Sequence, residues 1–135
     1  MEILGWIIII VIFIVGLMLV DYYGTGTDGL SNYQIDKFNK QQIEFWSGGG
    51  GDYWVDKQFE MDTMLNPLGQ KAIDSLDIQK GDSILDVGCG TGTTTLLLSE
   101  KVGPEGKVTG LDISVPMLAR TLELAIENNK TNISI

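Results

Sequence analysis

The sequence predicts an α/β domain with a parallel sheet, preceded by one apolar helix that spans a membrane. Three observations lead to this prediction. Short apolar runs alternate with amphipathic stretches over residues 83–135, as they do in strand–helix–strand units. A glycine-rich turn, Gly88–Gly92, follows the first of these runs. Residues 3–20 carry no charged or strongly polar side chain, which is typical of a membrane-spanning segment.

The first predicted strand, Ser83–Val87, leads directly into the glycine turn and then into a helix. Its apolar positions, which indicate a strand covered on both faces, are Ile84, Leu85 and Val87. Glycine then occupies every second position, at Gly88, Gly90 and Gly92. Because glycine has no Cβ, such a turn permits positive φ angles and lets a ligand contact the backbone. We expect Thr91 or Thr93 to cap the helix, which should end at Gly103.

The residues around the turn indicate the chemistry of a ligand. A dinucleotide site has the pattern G-x-G-x-x-G, and its third glycine would stand where this chain has Thr93. Asp86 precedes the turn, and a carboxylate suits a cation better than a phosphate. A second predicted strand, Lys107–Leu111, ends in Asp112, which is placed to accept hydrogen bonds from both hydroxyls of a ribose. A ligand with an ammonium group, a ribose and no phosphate is S-adenosylmethionine.

The segments ILDVGCGTG and VTGLDIS resemble the class I S-adenosylmethionine-dependent methyltransferases, which have a Rossmann-like fold. The resemblance extends from about Phe45 to the end of the chain. It implies that Asp86 and the turn contact the methionine part of the cofactor and that Asp112 binds the ribose. It also implies that Ile113 and Met117 pack against the adenine ring. The predicted cofactor-binding residues are therefore Asp86, Gly88, Cys89, Gly90, Thr91, Gly92, Asp112, Ile113 and Met117.

The N-terminal apolar segment, Ile3–Val20, is long enough to cross a bilayer as a helix. Eighteen helical residues extend about 27 Å, close to the thickness of the hydrocarbon layer. A cleaved signal peptide fits less well because the start of the chain carries Glu2 instead of a lysine or arginine, and a buried core helix would need a small domain to enclose the whole segment. We predict a single-pass membrane anchor over residues 1–22. The domain should face the cytoplasm, where the cofactor is made and where Lys37 and Lys40 would lie.

Residues 23–51 are predicted to be a linker that contains one helix. Glycine and small polar residues from Tyr23 to Ser31 indicate a flexible junction. A helical pattern then runs over about 32–46. The run Gly48–Gly51 should end that helix as a loop, and a hinge that gates substrate access is the alternative.

Helical segments are also expected between the glycine run and the first strand of the sheet. Asp52 is a candidate N-cap for a helix that Pro67 should interrupt, with a further short helix over 68–76. These helices most simply cover one face of the sheet. In the resembled family such a preface closes over the cofactor, so contact of Tyr53 or Trp54 with the site is an alternative.

The last part of the chain completes a βαβαβ unit. Ser114 is expected to cap a helix that has Pro116 in its first turn, and Ile133–Ile135 begins a third strand. Residues 52–135 are therefore predicted to be the N-terminal portion of a class I domain, which has about seven strands with the first one in the middle. We expect an incomplete chain in which one edge of the first strand is left unpaired.

Composition limits the function further. The net charge of −9 comes from 18 acidic and 9 basic residues without a basic cluster, which disfavours nucleic acid as a partner. One cysteine and no histidine exclude a disulfide framework and the usual zinc sites. Cys89 is expected to fill space in the turn, because no histidine or cation near it would lower the pKa of a nucleophilic thiol.

The sequence therefore predicts a methyltransferase that acts by direct displacement. The methyl group on the sulfonium is already electrophilic, so the protein mainly has to align an acceptor N, O or C atom and exclude water. No residue of the sequence is identified as a general base. A membrane anchor favours a small-molecule or lipid-like acceptor. Two alternatives stay open: a non-catalytic module that binds the cofactor in a membrane assembly, and half of a nicotinamide-dependent oxidoreductase.

Overall fold

The computed structural model describes residues 7–10 and 32–135. Strands and helices alternate from residue 83 onward, which is the α/β pattern that the sequence predicts. The elements in chain order are β1 (Ile7–Ile10), α1 (Asn32–Trp46), α2 (Gly49–Asp56), α3 (Gln58–Asp74), β2 (Ser83–Val87), α4 (Thr93–Val102), β3 (Lys107–Leu111), α5 (Val115–Glu127) and β4 (Ile133–Ser134).

The four described strands form one parallel sheet in the order β1-β2-β3-β4. The register places Ile84 of β2 beside Val108 of β3, and Val108 beside Ile133 of β4. Helices α4 and α5 connect β2 to β3 and β3 to β4, so the carboxyl ends of these strands lie along the same edge. That edge carries the glycine turn after β2 and Asp112 after β3. The predicted strands and their parallel arrangement are confirmed.

Strand β1 lies within the segment that the sequence predicts as a membrane helix. Its four residues pair in parallel with Ile84–Val87 of β2. Isoleucine is β-branched and favours extended backbone, and this edge of β2 offers amide and carbonyl groups for pairing. The expectation of an unpaired edge on β2 is therefore wrong, and the predicted helix is not what the structure has at these four residues. The other residues of the predicted anchor, 1–22, lie outside the described part of the chain.

The described helices lie outside the predicted membrane segment. None of the helices within residues 32–135 is both long enough and apolar enough to cross a membrane. In α4, the apolar residues Leu98 and Val102 are buried.

The hydrophobic core lies between the sheet and helices α3 and α4. It consists of the fully buried side chains Ile73, Ile84, Leu98, Val102 and Val108. Burial of one such side chain contributes roughly 1.5–3 kcal/mol. Gly106 lets the start of β3 approach this core, because an added Cβ would lie 2.5 Å from the Cβ of Val102. The core therefore fixes β2, β3 and α4 as a unit, and this unit carries the glycine turn.

Helix α3 continues through Pro67, where the sequence predicts an interruption. Proline cannot donate a hydrogen bond to the carbonyl four residues earlier, which belongs to Thr63. Thr63 is exposed, so water can take the place of that donor. The helix therefore persists to Asp74, and the separate short helix expected over 68–76 is its second half.

Helix α2 begins inside the glycine run. Its N-cap is Gly48, so Asp52 lies within the first turn of the helix and does not cap it, contrary to the prediction. Gly49–Asp56 also crosses the expected boundary at residue 52 between the linker and the domain. The glycine run is thus partly helical.

Candidate active site

The glycine turn has the backbone that its sequence requires. Gly88, Gly90 and Gly92 have φ angles of 79°, 54° and 89°, a region that other residues rarely adopt. The amides of Gly88 and Cys89 both donate to the carbonyl of Leu111, at 2.7 and 3.1 Å. The turn is thereby tied to the end of β3, where the next functional residue follows.

Helix α5 packs against the turn from one side. An added Cβ on Gly92 would lie 2.7 Å from the Oγ1 of Thr121, so no larger residue fits there without a shift. The same hydroxyl lies within hydrogen-bonding distance of the Gly90 carbonyl, at 2.9 Å, and of the Met117 carbonyl, at 3.1 Å. The conformation of the turn therefore depends on α5 as well as on its own glycines.

The start of helix α4 differs from the prediction. The N-cap is Gly92 in a left-handed conformation, without a side-chain cap, so neither Thr91 nor Thr93 has the expected role. Thr93 instead donates its hydroxyl to Asp62 of α3, at 2.8 Å. Its side chain thus links α3 to the first turn of α4.

Asp112 connects the end of β3 to the glycine turn. Its Oδ2 accepts a hydrogen bond from the amide of Gly90 at 2.9 Å, and its Oδ1 accepts one from the amide of Ser114 at 2.8 Å. The side chain is partly exposed. A carboxylate has about four acceptor positions, so two remain for other donors. Asp112 can therefore hold the turn and accept hydrogen bonds from a diol at the same time.

Asp86 is fully buried beneath the turn. Its Oδ2 accepts a hydrogen bond from the Thr95 hydroxyl at 2.7 Å, while its Oδ1 has no partner. Burial raises the pKa of Asp86 to about 6; the Thr95 hydrogen bond lowers this pKa, and the charge of Asp112 raises it. A buried carboxylate oxygen without a partner is costly, so a cationic donor that reached it would be favourable.

Cys89 fills the space between the turn and β3, in agreement with the sequence analysis. Its side chain is buried, and the Sγ lies 3.0 Å from the position that a Cβ on Gly110 would take. Burial raises the pKa of the thiol to about 12, with further contributions from Asp86 and Asp112. The thiol is therefore neutral and a poor nucleophile.

The apolar residues predicted to contact adenine occupy two different positions. Ile113 is 49% exposed at the carboxyl edge of the sheet, and Leu111 beside it is 47% exposed. Met117 is buried, with its sulfur 3.9 Å from the position that a Cβ on Gly90 would take. Ile113 thus offers surface for a flat ring, whereas Met117 supports the turn. Contact of either residue with a ligand stays a prediction.

Sequence analysis missed a polar link that involves Gln58 of α3. Its Nε2 donates to the carbonyl of Thr91 at 3.4 Å and lies 3.3 Å from the hydroxyl of Thr93. Its Oε1 accepts a hydrogen bond from the Nε of Arg120 on α5 at 2.8 Å. Gln58 therefore joins α3, the turn and α5. A glutamine in an amphipathic helix has no pattern that would have revealed this role.

Asp62 is a second residue that the sequence did not single out. Burial raises its pKa, against the lowering effect of hydrogen bonds with Thr93 and then Gln58. A signal was present, because Asp62 stands at an approximately apolar position of the helical pattern over 54–65. An acid on the inward face of a helix needs a polar partner, and the described partner is Thr93 at the start of α4.

An open groove with a volume of ≈ 510 Å³ runs along α3. Its lining residues are Phe59, Asp62, Thr63, Asn66, Pro67 and Gln70. Asp62 belongs both to this groove and to the hydrogen bond with Thr93, so the groove adjoins the start of α4.

The residues at the carboxyl edge fit a phosphate-free cationic nucleoside. Two carboxylates interact across the turn, and the oxygen of Asp86 without a partner favours a positively charged donor. Among residues 32–135, no lysine or arginine side chain hydrogen-bonds to the glycine turn 88–92, where a dinucleotide would place its phosphates. S-adenosylmethionine has the ammonium group, the sulfonium and the ribose that this arrangement suits.

Comparisons with known proteins point to the same chemistry. The family model described as "Methyltransferase domain" matches residues 78–135. The chain is 53% identical over 60 residues to the demethylmenaquinone methyltransferase of Shouchella clausii, and these residues cover 44% of this chain and 26% of that protein. It is 38% identical over 71 residues to the nocamycin O-methyltransferase of Saccharothrix syringae, and this match covers 53% of this chain and 25% of that protein. The chain spans about a quarter of the length of these relatives.

A solved structure is similar as well. A SAM-dependent methyltransferase from Aquifex aeolicus shares 28% sequence identity, with a TM-score of 0.46 over 50% of this chain and 36% of that one. The glycine turn and the two carboxylates lie within the residues that the family model matches. Residues 78–135 thus match a methyltransferase domain, as the resemblance of ILDVGCGTG and VTGLDIS predicts, and the cofactor that this segment suits is S-adenosylmethionine.

Proposed function

We propose that the protein is a methyltransferase that uses S-adenosylmethionine to methylate a small-molecule acceptor. The observation that carries the proposal is the position of Asp112, which closes β3 and accepts a hydrogen bond from Gly90 in the turn after β2. Two strands thereby contribute a carboxylate and bare backbone to one edge of the sheet. An acid at this position suits a ribose diol, as predicted from the sequence.

The residues of the chain have binding and orienting roles in this proposal. Bound S-adenosylmethionine supplies a methyl group on a positively charged sulfur, which an acceptor can attack directly. Asp112 accepts hydrogen bonds from the ribose hydroxyls, and the charge of Asp86 beneath the turn favours the cationic half of the cofactor. The exposed face of Ile113 covers the adenine ring and excludes water from it.

The acceptor that we propose is small and partly apolar. Similar proteins are named as methyltransferases of demethylmenaquinone, nocamycin and aklanonic acid. The groove along α3 supports this class, since Phe59 and Pro67 provide apolar surface and Asp62 provides a hydrogen-bonding group. The net charge of −9 argues against a nucleic acid acceptor. Replacing Phe59, which is 81% exposed, with alanine should raise the KM for a demethylated quinone and leave cofactor affinity unchanged.

We also propose, from the sequence alone, that the apolar segment within residues 1–22 attaches the protein to a membrane with the domain on the cytoplasmic side. Pairing of Ile7–Ile10 with β2 is the competing use of the same residues. Flotation with phosphatidylcholine and phosphatidylglycerol vesicles separates the two. Membrane attachment predicts that the whole chain floats and that a variant lacking 1–22 does not. Failure of the whole chain to float would contradict membrane attachment and favour pairing of Ile7–Ile10 with β2.

Calorimetric titration tests the cofactor assignment. We expect the chain to bind S-adenosylmethionine and its demethylated product, S-adenosylhomocysteine, and not to bind NAD. Asp112→Ala should weaken this binding by at least about tenfold, because it removes charged hydrogen-bond acceptors. Asp56→Asn, at an exposed site on α2, is the control and should match the wild type. Tight NAD binding without a response to either sulfur compound would contradict the proposal.

Transfer of a radiolabelled methyl group separates an enzyme from a non-catalytic binding module. The assay offers a demethylated quinone and a phenolic polyketide as acceptors, with labelled S-adenosylmethionine. A methyltransferase for small molecules should label one of them. Cofactor binding without transfer to either acceptor would favour the binding module.

A further inference from the structure

The α1–α2 turn (Trp46–Gly51) packs against the loop that follows β3. The hydroxyl of Ser47 donates a hydrogen bond to the carbonyl of Ile113 at 2.8 Å. The hydroxyl of Ser114 donates in the opposite direction, to the carbonyl of Trp46. These reciprocal bonds join the same two segments, so they fix both the distance between them and their relative orientation.

The α1–α2 turn approaches this closely because residue 51 is glycine. Gly51 is buried, and an added Cβ would lie 2.2 Å from the Trp46 carbonyl oxygen and 2.4 Å from the Ser114 hydroxyl. It would also lie 2.8 Å from the Cγ of Pro116. Gly49, two residues earlier, would have nothing within 4 Å of such a Cβ. The contact with the loop after β3 therefore depends on Gly51, since the atoms nearest to added Cβ atoms on Gly48 and Gly50 belong to Glu44 and Phe45 of α1.

The contact reaches the ribose-binding carboxylate through Ser114. This residue is fully buried, and its amide donates to the Oδ1 of Asp112 at 2.8 Å. Its hydroxyl also accepts a bond from the Met117 amide, at 3.4 Å, as the N-cap of α5. A shift of Ser114 would thus move an acceptor of the site and the start of the helix that supports the glycine turn.

We propose that the α1–α2 turn is a positioning element for the nucleoside half of the cofactor. Ser47 and Gly51 hold Ile113 and Ser114 in place. Ser114 in turn holds Asp112 for the ribose, and Ile113 is thereby held for the adenine. The inference rests on the proposed function, because it requires a nucleoside to bind at Asp112. It assigns the glycine run a role in close packing, different from both the loop and the gating hinge considered from the sequence.

The Ser47 hydroxyl provides the first test, by calorimetry with two ligands. S-adenosylhomocysteine contains both the nucleoside and the amino acid, whereas 5′-methylthioadenosine contains the nucleoside without the amino acid. Ser47→Ala should weaken both ligands by the same factor, roughly fivefold for one hydrogen bond. Ser47→Thr keeps the hydroxyl and should restore affinity to within about twofold of the wild type. Ser75→Ala is the matched control, because Ser75 also donates to a backbone carbonyl, that of Ala72, at an exposed site.

The glycine pair provides the second test. Gly51→Ala should weaken both ligands more than Ser47→Ala does, and Gly49→Ala should match the wild type. Circular dichroism reports whether each variant is folded, and the Ser47 variants decide the question if Gly51→Ala does not fold.

The outcomes separate this inference from the proposed function. A wild-type chain that binds neither ligand would overturn the proposed function and with it the inference. The inference alone is overturned if the wild type binds but Ser47→Ala binds equally well. It is also overturned if Ser47→Ala weakens only S-adenosylhomocysteine, or if Ser47→Thr is as weak as Ser47→Ala.

Discussion

Replacement of Asp86 by asparagine should stabilise the folded protein at neutral pH while it weakens cofactor binding. Asp86 is fully buried, and one of its carboxylate oxygens has no hydrogen-bond partner. Burial raises its pKa from 3.8 to about 6, against the lowering effect of the Thr95 hydroxyl, and the charge of Asp112 contributes to the rise. Folding therefore favours the protonated form, and ionisation of Asp86 above that pH opposes folding.

The rise in the pKa of Asp86 sets the size of the expected change in stability. A rise of about two pKa units corresponds to about 3 kcal/mol of free energy of unfolding. The sign follows from proton binding: between about pH 4 and pH 6 the folded chain holds the proton more tightly than the unfolded chain. The stability of the wild type should therefore fall as the pH rises through this window. Asparagine cannot ionise and can still accept the bond from Thr95, although its amide group replaces the oxygen without a partner and offsets part of the gain.

Urea unfolding at pH 4, 5, 6 and 8 measures this prediction. The difference in free energy of unfolding between Asp86→Asn and the wild type should grow with pH and level off above pH 6, at up to about 3 kcal/mol in favour of the variant. Asp56→Asn, an exposed control, should leave the pH profile of the wild type unchanged. Equal pH profiles for the wild type and Asp86→Asn would refute the reasoning, as would a variant that is less stable at pH 8.

Three further predictions concern the turn, the ligand and the core. Gly81 and Gly92 have the same φ of 89°, but only at Gly92 would an added Cβ overlap a neighbouring side chain. Gly81→Ala should thus lower the free energy of unfolding, measured with urea, by roughly 1–2 kcal/mol. Gly92→Ala should lower it more and should also weaken S-adenosylhomocysteine binding, measured by calorimetry. Affinity for S-adenosylhomocysteine should fall about tenfold from pH 7 to pH 5 as Asp86 becomes protonated, and Asp86→Asn should remove this dependence; a flat wild-type profile would contradict it. Leu98→Ala, in the core, should cost about 2–5 kcal/mol in urea unfolding, and a cost below 1 kcal/mol would contradict the assigned burial.

The parts of the structure that could be predicted from the sequence depend on local patterns. Strand β2 ends in a glycine turn whose positive φ angles only glycine adopts easily, so both its position and its shape were predictable. The position of Asp112 followed because the carboxyl ends of parallel strands share one edge. Ser114 was recognisable as an N-cap because its side chain accepts a hydrogen bond from the amide of Met117, only three residues later.

The features that were not predicted depend on contacts between distant parts of the chain. The hydrogen bond from Ser47 to Ile113 joins residues 66 positions apart, and nothing in the sequence near Ser47 indicates it. Gly51 was expected to lie in a loop, and its close packing was not predicted because the side chains that surround it come from α5 and its N-cap. Pro67 was expected to end a helix because the local rule does not include the exposure of Thr63, where water can replace the missing donor.

The same limit applies to the apolar N-terminal segment. The run of isoleucines Ile7–Ile10 has the hydrophobicity of a membrane helix and the β-branching of a strand. Which of these properties decides its structure depends on whether the edge of β2 is available, and the sequence of the segment does not contain that information.

Titration of the isotopically labelled chain with S-adenosylhomocysteine, followed by amide NMR spectra, tests the central claim most directly. The claim is that Asp112 and the glycine turn hold the cofactor. It predicts saturable shifts of the Gly88, Gly90 and Ile113 amides, and their loss in Asp112→Ala. Saturable binding that shifts only amides along the α3 groove, or no shift at the turn at millimolar ligand, would contradict the claim.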